Sequence, residues 1–154
     1  MTEYEYSFKV SDINPYIEYC KNNSYSLISK CNEERTLYRK DDIMARITVK
    51  EENNKIKKIL DFKEDKLDDE ILKERKESMQ LEFFEDDVID SILSILKFKK
   101  DITLKRNRVV YLKNNVKFEI DSYTYPEEMY VVAIEGNKKE VDKVYNEIYI
   151  EKNI

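Results

Sequence analysis

The chain has 154 residues, of which 41% are hydrophobic and 40% are charged, and its formal net charge is −5. This length suffices for one domain, residues 1–154, with its own core, and the acidic balance argues against general nucleic-acid binding, which usually depends on a basic surface. The sequence has no histidine and a single glycine, Gly136, which excludes His-based triads, most zinc sites and glycine-rich phosphate loops.

The sequence also favours a cytoplasmic protein without a membrane partner. No apolar run approaches the roughly 20 residues that span a bilayer, and "MTEYEY" at the N-terminus is not typical of a signal peptide. Cys20 and Cys31 lack the spacing of a metal site, so we expect two reduced, structural thiols.

The first predicted element is a strand, "EYEYSFKV" at 3–10, in which polar and apolar residues alternate strictly. One face carries Glu3, Glu5, Ser7 and Lys9, and the opposite face is aromatic and aliphatic. The polar face is consistent with either a solvated surface or the lining of a polar site.

The remaining elements follow in chain order. A helix is predicted over 12–25, capped by Asp12 or Asn14. Strands are predicted over 35–39, 43–50 and 56–63, a charged loop with a short helical turn over 64–73, and a strand over 75–83. An amphipathic helix over 85–98 precedes strands over 102–112, 116–123 and 129–136, and a second amphipathic helix over 137–148 follows them. The apolar stripe of helix 85–98 consists of Val88, Ile89, Ile92, Leu93, Ile95 and Leu96.

Several predicted strands pair an apolar face with a face that carries both acids and bases. An open antiparallel sheet with its polar face in water explains any single strand. A sheet that closes on itself, with helices outside, would instead turn the polar faces into an internal tunnel. The pattern alone favours the open sheet.

Eight short motifs occur in a fixed order along the chain. They are "EYSFK" at 5–9, "ARIT" at 45–48, "DFK" at 61–63, "SMQLE" at 78–82, "LKF" at 96–98, "RNRVVY" at 106–111, "EID" at 119–121 and "AIEG" at 133–136. In order and spacing the sequence resembles the CYTH family, the triphosphate tunnel metalloenzymes. The resemblance runs over nearly the whole chain.

The resemblance implies an α+β fold with a closed antiparallel eight-stranded β-barrel, a polar interior and helices packed outside. It also implies a small-molecule triphosphate or nucleotide as ligand and Mg²⁺ or Mn²⁺ as cofactor. The implied triphosphate-binding residues are Lys9, Arg46, Lys63, Arg106 and Arg108. The implied metal ligands are Glu5, Glu82 and Glu135, with Glu3 and Asp121 as further candidates, and Glu82 and Glu135 are the implied catalytic residues.

The chain departs from the family's motifs at several positions. Ser7, Gln80 and Ala133 stand where the family has acids, and Thr48 and Ser78 stand where it has arginines. A register shift of two residues would make Glu3 and Glu5 the first acid pair but leave Ser7 in the lysine position. Because the matched bases outnumber the matched acids, we expect weak metal binding and retained anion binding.

Two functions follow from these departures. The first is weak metal-dependent hydrolysis of inorganic, nucleoside or thiamine triphosphate. The alternative is a catalytically degenerate module that binds a polyphosphate or nucleotide without turnover. We favour hydrolysis because three acids persist in matching positions, and an adenylyl cyclase is a distant third. The sequence sets neither the organic part of the ligand nor the oligomeric state.

Overall fold

The structure is a computed structural model that describes residues 2–64 and 72–153, with side chains described for 3–64 and 76–148. Nine strands form one antiparallel sheet. In chain order they are β1 (Thr2–Val10), β2 (Ser26–Lys40), β3 (Ile43–Glu52), β4 (Lys55–Glu64), β5 (Leu72–Lys76), β6 (Leu81–Glu82), β7 (Lys99–Lys113), β8 (Val116–Tyr125) and β9 (Met129–Gly136).

Three helices accompany the sheet, namely α1 (Asn14–Asn22), α2 (Asp86–Ile95) and α3 (Lys138–Asn153). The start of α1 carries a proline, and the Asp12 carboxylate accepts a hydrogen bond from the Asn14 backbone N–H at 3.0 Å. The first turn of α2 contains two aspartates, which suit the positive end of the helix dipole. Among the residues described, no helix is long and apolar enough to cross a membrane.

The sheet curls strongly. Its strand order is β5-β1-β9-β8-β7-β2-β3-β4-β6, so six strand spacings separate β1 from β4, a span of roughly 29 Å in a flat sheet. Yet Lys63 Nζ of β4 lies 3.6 Å from Glu5 Oε2 of β1. The sheet must therefore bend around until its two ends approach each other.

The two ends meet at the segment that follows β5. Glu77 forms an isolated antiparallel bridge with Lys63. The Ser78 N–H donates to the Phe62 carbonyl at 2.8 Å, and the Phe62 N–H donates to Ser78 Oγ at 2.8 Å. Within the described ranges no continuous ladder of hydrogen bonds closes the sheet, so the predicted closed barrel is not confirmed, whereas the α+β antiparallel architecture is.

The apolar core lies on the convex face of the sheet. One cluster joins α1 and α3 to β8 and β9 around Phe118, Ile134 and Val141, each of which has 0% of its surface exposed. A second cluster joins α2 to β3 and β4 around Ala45 and Leu93. The helices over 85–98 and 137–148 thus pack outside the curl, as the sequence analysis predicted.

Some predicted boundaries were wrong. The strand predicted over 35–39 extends over the whole of β2, with a register shift between Leu27 and Ser29. The single strand predicted over 75–83 is divided into β5 and β6, which explains why nine strands replace the expected eight. Most of the loop predicted over 64–73 lies outside the described residues.

Candidate functional site

The concave face of the sheet encloses a polar cavity of about 210 Å³. Among the described residues that line it, six are acidic and six are basic. These are Glu5, Asp61, Glu77, Glu119, Asp121 and Glu135, and Arg35, Arg46, Lys63, Arg106, Arg108 and Lys117. A second chamber of about 210 Å³ shares Arg35, Asp61 and Glu119 with the first and adds apolar walls.

The alternation of each strand places these charges. In β8, Lys117, Glu119 and Asp121 line the cavity, while Phe118 and Ile120 lie in the core behind the sheet. Successive side chains of a strand point to opposite faces, so one sequence pattern builds both the core and the charged interior. Strand alternation therefore places the charges that β8 contributes to the cavity.

Arg46 and Asp61 form a buried, two-pronged ion pair between neighbouring strands. They are direct partners in the register of β3 and β4. Arg46 Nε donates to Asp61 Oδ1 at 2.9 Å and Nη2 donates to Oδ2 at 2.5 Å. The residues are 8% and 5% exposed, so the contact between them compensates for the water that each charge loses on burial.

Two arginines of β7 make further ion pairs within the cavity. Arg108 binds both Asp121 oxygens, at 2.8 and 2.9 Å, and also pairs with Glu119. Arg106 donates from Nε to Glu33 at 2.9 Å and from Nη1 to the Tyr123 hydroxyl at 2.9 Å. Its Nη2 is buried, lies 2.8 Å from Glu33 and has no well-aligned hydrogen bond. Arg106 is thus held by Glu33 and Tyr123, with one N–H group whose hydrogen bonding is incomplete.

Arg35 lies where positive charge accumulates. Its Nε donates to Thr48 Oγ1 at 3.0 Å. Burial and repulsion from Arg106 and Arg108 lower the pKa of Arg35 to about 9. The charge of Glu33 offsets part of this repulsion, and an anion bound beside Arg35 would relieve more of it.

Three carboxylates converge in the same cavity. Oxygens of Glu5, Glu119 and Glu135 lie within 4.8 Å of one another. Burial is the main reason why the pKa of Glu135 is raised to about 11. The charge of Glu119 and hydrogen bonds to Glu119 and Glu5 also raise this pKa, whereas Lys117, whose Nζ lies 3.2 Å away, lowers it. Burial opposes ionisation of Glu119, but nearby positive charges, that of Arg108 above all, outweigh this effect. They hold the pKa of Glu119 well below its usual range. The two pKa shifts run in opposite directions, so the cavity favours the protonated form of Glu135 and the ionised form of Glu119.

This carboxylate trio is chemically suited to a divalent cation. Mg²⁺ and Mn²⁺ prefer hard oxygen ligands, and carboxylates are the usual protein ligands for them. A cation bound by these carboxylates would displace the proton that the raised pKa of Glu135 favours. Glu5, Glu119 and Glu135 are thus the described residues best placed to hold a metal.

The structure brings together most of the residues predicted from sequence. Arg46, Lys63, Arg106 and Arg108 line the polar cavity with the acids Glu5, Asp121 and Glu135. Lys9 does not line it and is exposed. Glu3 does not line it either, although burial and the charge of Glu77 raise the Glu3 pKa.

Glu82 requires a correction. Its partner in the register is Ile59, which faces the second chamber, but the Glu82 side chain is 46% exposed and lies 3.8 Å from Lys57. Among the described residues, the carboxylates that converge are those of Glu5, Glu119 and Glu135, whereas the sequence analysis grouped Glu82 with Glu5 and Glu135. The reason is the interruption of the strand before β6, which moves Glu82 to the edge of the interior.

The sequence analysis assigned no role to several residues that shape the cavities. They are Glu33, Arg35, Asp61, Glu77, Lys117, Glu119 and Tyr123. Alternation could have revealed Lys117 and Glu119, which share a strand face with Asp121. Acids and bases are therefore equal in number among the described lining residues, although bases outnumber acids in the motif-matched positions.

No protein-family model and no curated protein matches the sequence. Solved structures do match the fold. The PH1012 protein of Pyrococcus horikoshii OT3 superimposes with a TM-score of 0.73 at 20% identity, covering 95% of this chain and 87% of that chain. The Hippeastrum protein HpAC1, for which a dominant triphosphatase activity is described, gives a TM-score of 0.67 at 14% identity, covering 97% and 87%.

A third neighbour is a Vibrio parahaemolyticus protein provisionally named an adenylate cyclase. Its TM-score is 0.60 at 13% identity, and the match covers 96% of this chain and 83% of that chain. At these identities the likeness concerns the fold. The three neighbours therefore show that this arrangement of strands and helices occurs in known proteins.

Proposed function

We propose that the chain is a divergent CYTH protein whose curled sheet closes into a tunnel, and that it binds and slowly hydrolyses a triphosphate-containing compound there. The observation that carries the proposal is the cavity itself, which is lined by six acids and six bases, and three of the acids converge in one cluster. The triphosphatase activity described for HpAC1, which shares the fold, is consistent with it.

The arginines would hold the phosphate chain. Arg106 offers a buried Nη2 that lacks a well-aligned acceptor, and Arg35 lies in a region of accumulated positive charge. Guanidinium groups bind phosphate oxygens with parallel hydrogen bonds. Lys63, which pairs with Glu5 and Glu77 at 3.6 and 3.2 Å, can exchange these partners for phosphate.

Glu5, Glu119 and Glu135 would hold Mg²⁺ or Mn²⁺. When bound, the cation would neutralise phosphate charge and make a coordinated water more acidic. An ionised carboxylate of this trio would accept the proton of the attacking water. Arg35 and Arg106 would stabilise the charge that develops on the phosphoryl oxygens.

A second candidate is capture of a polyphosphate or nucleotide without turnover. The acids Asp61, Asp121 and Glu119 are already engaged with guanidinium groups, and the raised pKa of Glu135 favours its protonated form. These contacts favour a site that holds its basic side chains in place but binds a metal ion poorly.

Phosphate release decides between the two candidates. We would incubate the wild type with tripolyphosphate, ATP or thiamine triphosphate, with and without Mn²⁺, and measure tripolyphosphate binding by calorimetry. For hydrolysis we expect Mn²⁺-dependent release that Glu135→Gln abolishes while binding persists. Glu82→Gln is the matched control, because its side chain lies outside the polar cavity, and it should retain activity.

Each remaining outcome has a defined meaning. Binding without release in any variant would exclude the triphosphatase and leave the binding module. Loss of activity in Glu82→Gln but not in Glu135→Gln would overturn the metal site described above. No heat of binding with any of these ligands, in the presence or absence of Mn²⁺, would reject both candidates.

A further inference from the structure

Exposed apolar side chains are concentrated in residues 79–96, which include β6 and α2. In this short segment seven large apolar side chains are exposed, and the exposed fraction reaches 89% at Met79 and 83% at Phe84. The seven are Met79, Leu81, Phe84, Val88, Ile92, Ile95 and Leu96. Exposed apolar residues that form one patch mark an interaction site, whereas isolated ones do not.

The apolar face of α2 is wider than the part its own sheet covers. Ile89 and Leu93 are buried against β3 and β4, with 4% and 1% exposed. Val88, Ile92 and Ile95 are spaced by four and three residues, so they form a second stripe beside the buried one. Their exposed fractions are 52%, 43% and 76%. We call these three residues the α2 stripe.

The charges at the two ends of α2 indicate what covers the stripe. Glu85 and Asp87 are exposed at its N-terminal end, while Lys97 and Lys99 are exposed just beyond its C-terminal end. A second copy in antiparallel orientation would place acids of one helix beside lysines of the other, and opposed helix dipoles would add to this attraction. A parallel copy would bring like charges together.

We propose that two copies of the chain form a two-fold symmetric dimer through the α2 stripe, with the two α2 helices antiparallel. In a two-fold interface the same patch must complement itself. Ile92 lies between Val88 and Ile95 in the stripe and would fall near the axis, so that Val88 of one copy meets Ile95 of the other. The charged ends then fix the orientation.

The oligomeric state in solution tests this proposal. Sedimentation of the wild type over a series of concentrations should show a monomer–dimer equilibrium. Ile92→Glu should weaken association by about thirtyfold or more, because it puts two carboxylates at the centre of the interface. Leu27→Glu is the control, since Leu27 is also exposed (55%) but lies at the end of β2 remote from Tyr38, which contacts the α2 cluster.

Charge reversal tests the orientation independently. Glu85→Lys and Lys99→Glu should each weaken the dimer several-fold, and the double variant should recover most of the loss. Circular dichroism would verify that each variant is folded. A wild type that stays monomeric at every concentration, or a dimer that survives Ile92→Glu, would overturn the proposal. A dimer lost with Ile92→Glu but indifferent to the reversals would overturn the antiparallel arrangement.

Discussion

The raised pKa of Glu135 opposes metal binding, because Glu135 must lose its proton before it can bind a cation. Glu135 is 5% exposed and lies beside Glu5 and Glu119, whose oxygens are within 4.8 Å. Burial and the charge of Glu119 make a further negative charge at Glu135 costly. A protonated Glu135 can form hydrogen bonds with its neighbours Glu119 and Glu5. A divalent cation bound by the three carboxylates would displace this proton.

This proton predicts how stability depends on pH. The pKa of Glu135 is about 11 in the folded chain against 4.5 for an ordinary glutamate. Between these values unfolding releases a proton, so stability should fall as pH rises, by at most about 1.4 kcal/mol per pH unit. The low pKa of Glu119 has its effect only below the ordinary glutamate range. The raised pKa of Glu3 adds to this fall, whereas Arg35, with its pKa of about 9, opposes it only as the pH approaches 9 and above.

Urea unfolding at about pH 5, 7 and 9 would measure this slope. Glu135→Gln mimics the protonated side chain and should remove most of the dependence. Glu82→Gln, an exposed glutamate, should leave it unchanged. An equal slope in the wild type and in Glu135→Gln would show that Glu135 is ionised in the folded chain.

At the scale of elements, the interruption between β5 and β6 decides which acids reach the interior. In an unbroken strand Glu77 and Gln80 would point to opposite faces, yet both line the polar cavity. Ser78 helps to hold the irregular segment, because its hydroxyl accepts the hydrogen bond of the Phe62 N–H at 2.8 Å. The segment that follows β5 is thereby bonded to β4.

Removing that hydroxyl should loosen the junction. Ser78→Ala leaves the Phe62 N–H without its acceptor, at a cost of about 1 kcal/mol, and should speed hydrogen exchange at the Phe62 amide. Ser78→Thr keeps the hydroxyl and should preserve both stability and protection. Unaltered exchange at Phe62 in Ser78→Ala would mean that the junction does not depend on this bond.

Regular elements could be predicted from sequence where alternation continues without a break. The strand predicted over 129–136 matches β9 in both bounds, and the faces of β8 follow directly from its pattern. The site was less accessible, since Glu77 and Glu82 owe their positions to an irregular segment that no period describes. The exposed stripe of α2 was also missed, because helical periodicity identifies an apolar face but not how much of it the sheet covers.

At the scale of the whole molecule, the curled sheet encloses a nearly balanced set of charges. Six acids and six bases line the polar cavity among the described residues, and most of the arginines are already paired with carboxylates. A highly charged triphosphate must therefore break ion pairs and approach several carboxylates. A divalent cation bound by Glu5, Glu119 and Glu135 would change that balance in favour of the anion.

This charge balance predicts that metal and triphosphate bind cooperatively. Tripolyphosphate alone should raise the melting temperature only slightly, and Mn²⁺ alone likewise, whereas both together should raise it by more than the sum of the separate shifts. The coupling should be about tenfold in affinity, and by linkage it must be the same whichever ligand is added first. Calorimetric titration of each ligand in the presence and absence of the other would measure it. Glu135→Gln should reduce the coupling because it removes one ionisable ligand of the cation, while Glu82→Gln should preserve it. Equal affinity for tripolyphosphate with and without Mn²⁺ would show that the arginines alone provide the binding energy and that the carboxylate trio serves another purpose.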